Sequence, residues 1–328
     1  MEQYIGRNLS TLVKAKNLAD IDIIVVNDGS KDNTLAIACE YEKEYGNSVR
    51  IIDKPNGHYG TCINEGLKIA QGKYFRILDA DDWFETEHLD QFVEKLRTCD
   101  ADLVVTLRVE VSKGKDGQLQ KTYYPIENIE YDKIYDAKSF DIESYSKHVE
   151  FNMHSMTYKT EILRSIGLQL PGGVCYTDMI YCLLPMDRIN TLTVFDIYLY
   201  NYVNDREGSS TDAASIRRNF AHIKTVMREM TGCLVNHPSE NPIVHKNQMR
   251  YVKEAFGFLM MSMLKQGYVS KSDYEDLAII IKSLKKLNFD DRMLHKYYLR
   301  KWWKQETCNS LNFCLWLFKV THPFKNFS

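Results

Sequence analysis

The stretch Lys73-Tyr-Phe-Arg-Ile-Leu-Asp-Ala-Asp-Asp-Trp-Phe84 decides how the remainder of the chain is read. It opens as a short apolar run of strand type, Tyr74 to Leu78, and then sets the carboxylates of Asp79, Asp81 and Asp82 almost side by side. Like charges this close repel and raise one another's pKa, so the arrangement is costly without a cation or donated hydrogen bonds. Hard divalent cations such as Mg²⁺ and Mn²⁺ prefer oxygen ligands, and Mg²⁺ is commonly held by one or two carboxylates together with substrate phosphates. A solvated acidic turn, with Asp82 or a neighbour capping the following helix, accounts for the same residues, and Asp-x-Asp alone is a short pattern.

On the N-terminal side, residues 2 to 16 carry helical periodicity through Ile5, Leu9, Leu12 and Val13, and Asp20 to Asn27 runs as an apolar, β-branched strand. That strand stops at Asn27-Asp28-Gly29-Ser30, and helical spacing resumes from Asn33 through Tyr41. A second strand, Val49 to Asp53, is followed by the turn-rich Pro55-Asn-Gly-His-Tyr-Gly60 and a helix from Thr61 to Ala70. Alternating strands and helices with short turns predict an α/β fold, a mostly parallel sheet covered by helices on both faces. Such sheets bind ligands beyond the carboxyl ends of their strands. Asp28 and the Asp79 to Asp82 cluster both fall at that edge.

On the C-terminal side, a helix over Glu87 to Thr98 leads to a strand over Ala101 to Val111, then a turn, Lys113-Gly-Lys-Asp-Gly117. Residues 118 to 150 show no decisive period. A strand at Met153 to Tyr158, a helix at Lys159 to Ile166, a break at Pro171-Gly-Gly173, a helix after Thr177-Asp178 and a strand at Thr191 to Tyr202 follow. Beyond the polar loop at 204–212 the pattern is helical throughout. Two regions are therefore expected, 1–212 and an all-helical 213–328.

Composition narrows the function classes. Lysine plus arginine number 42 against 44 acidic residues, so no overall basic excess points to nucleic acid. The eight cysteines form no Cys-x-x-Cys pair and read as reduced thiols. No apolar run reaches the roughly 18 residues that cross a bilayer, and the first residues have no signal-peptide segment, so a cytoplasmic location is expected.

Three segments in order, Val25-Val-Asn-Asp-Gly-Ser30, Asp79-Ala-Asp-Asp-Trp83 and Tyr176-Thr-Asp178, resemble the inverting family-two glycosyltransferases of GT-A fold, and Arg206-Glu-Gly-Ser209 resembles that family's Arg-x-Gly-Ser loop. The resemblance covers about residues 1 to 212 and implies a nucleotide-sugar donor, a saccharide or lipid-linked acceptor, and Mn²⁺ or Mg²⁺. It implies donor contacts at Asp28, with Asn27, Gly29, Ser30, Asn56 and Gly57 around it. Asp79 and Asp81 would hold the ribose and the metal, and Arg206 a phosphate. Asp178 would be the general base, although a helix N-cap explains Thr177-Asp178 as well. His58, Tyr59, Asp82 and Trp83 are candidate donor or acceptor contacts. The family's arginine before Asn64 is replaced by Ile63, which removes one expected polar contact. The strand that opens the family's fold is also absent, which would leave the Ile21 to Val26 strand with an unpaired edge.

The helical region ends in the aromatic and basic Tyr297 to Lys304 and the apolar Leu311 to Phe318, a pair suited either to core packing or to peripheral membrane contact. An oligomer is compatible with these faces. Two other functions fit parts of the pattern. One is a glycosyltransferase-like scaffold that binds saccharide or a partner without turnover. The other is a phosphatase with Asp79 as nucleophile, which leaves the Val25 to Ser30 segment unexplained and meets Trp83 where a small hydroxyl residue is wanted.

Overall fold

The computed structural model describes residues 1–114, 117–145, 151–204, 213–266, 268–290 and 308–321. By its contacts the chain divides into two compact units, Met1–Gly173 with Tyr181–Arg206, and Val174–Ile180 with Glu207–Ser328.

In the first unit the elements run α1 (Ile5–Val13), β1 (Ile23–Asp28), α2 (Thr34–Tyr45), β2 (Val49–Lys54), α3 (Tyr59–Ile69), β3 (Tyr74–Arg76), β4 (Trp83–Phe84) and α4 (Thr86–Thr98). There follow β5 (Leu103–Lys113), β6 (Leu119–Tyr123), β7 (Tyr135–Asp136), α5 (Ile142–Tyr145), β8 (Met156–Lys159), α6 (Thr160–Ser165), the short α7 (Asp178–Leu183), which begins in the second unit, and β9 (Thr191–Val203). The segment without decisive period thus yields β6, β7 and α5, each short.

β1 and β2 pair in parallel as a sheet of two strands, and among the described residues no strand pairs with the other edge of β1. Its side chains alternate. Ile23 and Val25 face a core shared with Leu9, Leu12, Ala38 and Val49, while Val26 faces α3, where a side chain added at Gly66 would meet it at 3.9 Å. Helices thus cover both faces, as the apolar run requires.

The larger sheet is mixed rather than mostly parallel. Its order is β3-β8-β5-β9-β4, and of its pairs only β5 with β9 is parallel. Connection length gives the reason. β5 reaches β6 through a tight turn, which permits only antiparallel pairing, whereas the connection from β5 to β9 is long enough to cross over. β5 is the spine of the unit, with Leu103, Val104, Val105 and Leu107 fully buried.

The second unit contains α8 (Ala213–Arg218), α9 (Phe220–Asn236), α10 (Pro242–Gln266), α11 (Lys271–Lys286) and α12 (Cys308–Thr321). Their apolar faces meet at Met227, Met230, Val252, Phe256, Met260, Leu277 and Leu284, all buried. Ser270 caps α11 by accepting from the Asp273 amide at 3.0 Å. Lys224 of α9 is buried with its ammonium donating to Asp273 at 2.7 Å and Asp276 at 2.9 Å. The aromatic and basic segment Tyr297 to Lys304 lies outside the described residues. In α12 Leu311, Cys314 and Leu315 are buried, and no described helix is long and apolar enough to cross a membrane.

Burying an ammonium is tolerable only because two carboxylates meet it, so breaking the group should cost more than a surface pair. Lys224→Ala is expected to lower unfolding free energy by ~1–3 kcal/mol in urea denaturation of the full chain. Partial burial pulls the Asp273 carboxyl upward, but Lys224 and Ser270 outweigh it and the net shift is downward. A depressed folded-state pKa stabilises above the unfolded value and is lost as pH falls through the folded value. The difference between wild type and variant should therefore hold at neutral pH and narrow only below about pH 4.

Candidate active site

The carboxyl end of β1 and the loop after β2 form one half of the site. Asp28 ends β1 and accepts from the Gly57 amide at 2.8 Å and from the Lys54 ammonium, which also reaches Thr61 Oγ1 at 2.8 Å. Desolvation pushes the Asp28 carboxyl up, yet Lys54 and the Gly57 amide more than reverse it, so it is held ionised. Asn56 Nδ2 donates to the Asp28 carbonyl at 3.1 Å, and Asn27 is buried with Nδ2 on Asp53 at 2.7 Å. Gly29 has φ +70°, and a Cβ there would stand 2.9 Å from the Asn56 amide nitrogen, so only glycine lets the two loops close. Ser30 is exposed beside them.

The acidic turn forms the other half. Asp82 is buried, its Oδ2 accepting from the Tyr200 hydroxyl at 2.7 Å and its Oδ1 from the Val203 amide at 2.8 Å. Burial, reinforced by the neighbouring Asp79, pushes its carboxyl up to about 7. Both oxygens being engaged by β9, Asp82 anchors the turn rather than presenting itself to a ligand. Trp83 is likewise buried, packed with Val109 and Val111 and covered by the Arg7 guanidinium 3.8 Å above its ring, so the structure does not support it as a ligand contact. Behind the turn, Asn8 Nδ2 donates to the carbonyls of Asp79 and Asp82, each at 2.9 Å, and Arg7 to that of Asp81 at 2.9 Å.

Asp79 is half-buried. Its Oδ1 accepts from the Tyr59 hydroxyl at 2.8 Å, which brings one of the candidate contacts directly onto the turn. Its Oδ2 lies 3.5 Å from His154 Nε2. Asp79, Asp82 and His154 place ligand atoms within 4.8 Å of one another, and Asp81, half-buried, is outside that group. Asp82 being taken by β9, Asp79 is the carboxylate of this group that fits a hard divalent cation completed by phosphate oxygens, with His154 beside it. Arg76, half-buried, donates to the His154 carbonyl at 2.5 Å and to Thr157 Oγ1 at 2.8 Å, which fixes the start of β8 and with it the imidazole. Desolvation lowers this guanidinium to about 9.

His154, Lys54 and Tyr200 were not singled out by sequence. Each becomes part of the site through a strand pairing or loop closure between distant residues, and no short motif marks any of them. His58 stands at φ +64° just before α3 and accepts Thr61 Oγ1 on its carbonyl at 2.8 Å. Arg206 lies outside the described residues.

Asp178 opens α7 in the second unit. Before it Tyr176 is held at φ +66°, an outlier for a bulky residue that costs roughly 1–3 kcal/mol. Thr177 is fully buried. Burial raises the Cys175 thiol above its ordinary value, while Arg218 lowers it and Asp178 raises it, which places both charges within reach of Cys175.

Comparison with known proteins bears on the family and the fold. Residues 2–162 match the model of the glycosyl transferase family 2. The putative glycosyltransferase EpsH of Bacillus subtilis is 34% identical over 128 residues, 37% of this chain and 36% of EpsH. The minor teichoic acid biosynthesis protein GgaB, also from B. subtilis, is 21% identical over 299 residues, 89% of this chain and 32% of GgaB. The chain thus spans about a third of the length of these relatives. The crystal structure of S. aureus TarS 1-349 in complex with UDP-GlcNAc superposes with a TM-score of 0.66 at 17% identity, over 98% of this chain and 89% of that one, and shows the same fold. Residues 2–162 thus form a glycosyl transferase family 2 domain, in a GT-A type α/β fold followed by helices.

Proposed function

We propose that this chain is an inverting glycosyltransferase that moves one sugar from a nucleoside diphosphate donor, a UDP-sugar, to a hydroxyl of a saccharide or lipid-linked acceptor with the aid of Mn²⁺ or Mg²⁺. The observation that carries this reading is the pairing of Asp28, held ionised by Lys54, with the Asp79 and His154 group at the ends of β1 and β3 of one unit. An ionised carboxylate among amides is suited to accept from a nucleobase N–H, and Asn27, Gly29, Ser30, Asn56 and Gly57 line the approach to it. Asp79, Asp81 and His154 would hold the cation, and Arg206 would meet a phosphate. A bound divalent ion supplies fixed positive charge for the diphosphate as it leaves.

Asp178 takes the proton from the acceptor hydroxyl as its oxygen forms the new bond to the anomeric carbon. The oxygen enters from the face opposite the diphosphate, whose bond to that carbon breaks with the electron pair leaving on the diphosphate, so configuration inverts. GgaB, whose aligned stretch covers most of this chain, is named for teichoic acid biosynthesis, which supports a cell-envelope acceptor; the reaction would then run in the cytoplasm at the inner face of the membrane. Coverage of a third of such relatives leaves the other reactions of those proteins outside this proposal.

Two outcomes are expected. Calorimetry with UDP should show binding with Mn²⁺ that collapses with chelator. Asp79→Ala and His154→Ala should each weaken Mn²⁺-dependent binding at least about tenfold. Equal affinity with and without metal would exclude the cation. Asp178→Asn should lower turnover roughly 10²- to 10⁴-fold with UDP and Mn²⁺ binding unchanged. Near-normal turnover would return Asp178 to helix capping.

A further inference from the structure

The segment carrying Asp178 is built into the helical unit, not into the strands that flank it in sequence: Val174–Ile180 groups with the C-terminal helices. Three side chains of that unit make the attachment. His222 of α9 accepts from the Cys175 amide on Nδ1 at 3.3 Å. Asn219, buried at the start of the same helix, donates from Nδ2 to the Tyr176 hydroxyl at 3.3 Å and lies 3.8 Å from Cys175 Sγ. Phe258 of α10 meets the Tyr176 ring with centroids 5.9 Å apart. Held between them, Tyr176 adopts the left-handed backbone that a tyrosine avoids, and the chain turns there directly into Thr177 and Asp178. A strained backbone persists only where its surroundings over-determine it, and here the surroundings are α9 and α10.

We propose that His222 and Asn219 are positioning residues for Asp178: by fixing the Cys175–Tyr176 bend they set where the carboxylate at the head of α7 stands. The proposal rests on Asp178 being the general base. Its chemistry is one of placement. A base displaced by about an ångström can lose roughly 100-fold in rate while remaining ionised and folded.

The test uses the full chain. Turnover is read as UDP release with water as acceptor, from whichever of UDP-glucose, UDP-galactose or UDP-N-acetylglucosamine the wild type hydrolyses fastest. Donor-site integrity is read as UDP and Mn²⁺ affinity. His222→Ala and Asn219→Ala should each lower kcat roughly 10- to 100-fold with KM and UDP affinity unchanged, and should speed amide exchange over residues 174–180. His222→Asn, whose side-chain oxygen can accept from the Cys175 amide, should recover most of the loss, and Tyr176→Phe, a mild variant that keeps the ring, should reproduce Asn219→Ala. In an Asp178→Asn background His222→Ala should cost no further turnover, because residues that act through one group are not additive. Wild-type kcat in both alanine variants, or an equal further loss in the Asp178→Asn background, overturns the positioning role while leaving the base assignment standing. Full turnover in Asp178→Asn itself overturns the base assignment, and this proposal with it.

Discussion

The turn that carries Asp79 to Asp82 exists in its observed shape because one carboxylate in it is buried. Asp82 gives both oxygens to β9, one to the Tyr200 hydroxyl and one to the Val203 amide, and Tyr200 in turn accepts from the Asp79 amide at 3.2 Å. An acidic side chain in an apolar interior is tolerated only with its hydrogen bonds satisfied or its proton retained, and burial moves this one toward both. The consequence is geometric. With Asp82 locked inward and Asn8 holding the carbonyls of Asp79 and Asp82 from behind, Asp79 is left beside His154. The repulsion that makes the motif costly is thus partly relieved by giving its members different partners.

The other half of the site follows the same logic with the opposite sign. Lys54, at the last position of β2, lies in register with Asp28 at the last position of β1, so a parallel pairing alone brings the ammonium to the carboxylate. The same ammonium reaches Thr61 in α3, and Gly29 and Gly57 leave room for the loops to close around it. Where the acidic turn is organised by burying a carboxylate, this end is organised by neutralising one.

The segment that carries Asp178 belongs to the helical unit. The core of that unit is made by α9, α10 and α11, and the segment 174–180 is held by side chains of α9 and α10. The buried Lys224 and its two carboxylates tie α9 to α11, so the helix that holds the Cys175–Tyr176 bend is itself fixed by an ion pair remote from it. Rigidity in such a unit comes from packing across helices, which no single helix supplies.

By itself the sequence determined the α/β class, the order of the longer helices and strands outside residues 118–150, the ends of β1 and β3 where acidic residues gather, and the family resemblance, because these depend on periodicities of two and 3.6 and on motifs confined to a few neighbouring residues. It did not distinguish the roles of Asp79, Asp81 and Asp82, which look alike in a row. The distinction comes from β9, more than a hundred residues away, which engages both carboxylate oxygens of Asp82. Nor did it show that the larger sheet is mixed, since strand direction depends on which strands meet and through what connection. His154 entered the site through the pairing of β8 with β3, and Lys54 through the register of β1 with β2. The segment Tyr176 to Asp178, placed among the strands by its position in the chain, was assigned to the helical unit only by contacts with residues that follow some forty to eighty positions later. Local pattern records what a residue's neighbours in the chain require of it, whereas these assignments were made by groups that only the folded chain brings together.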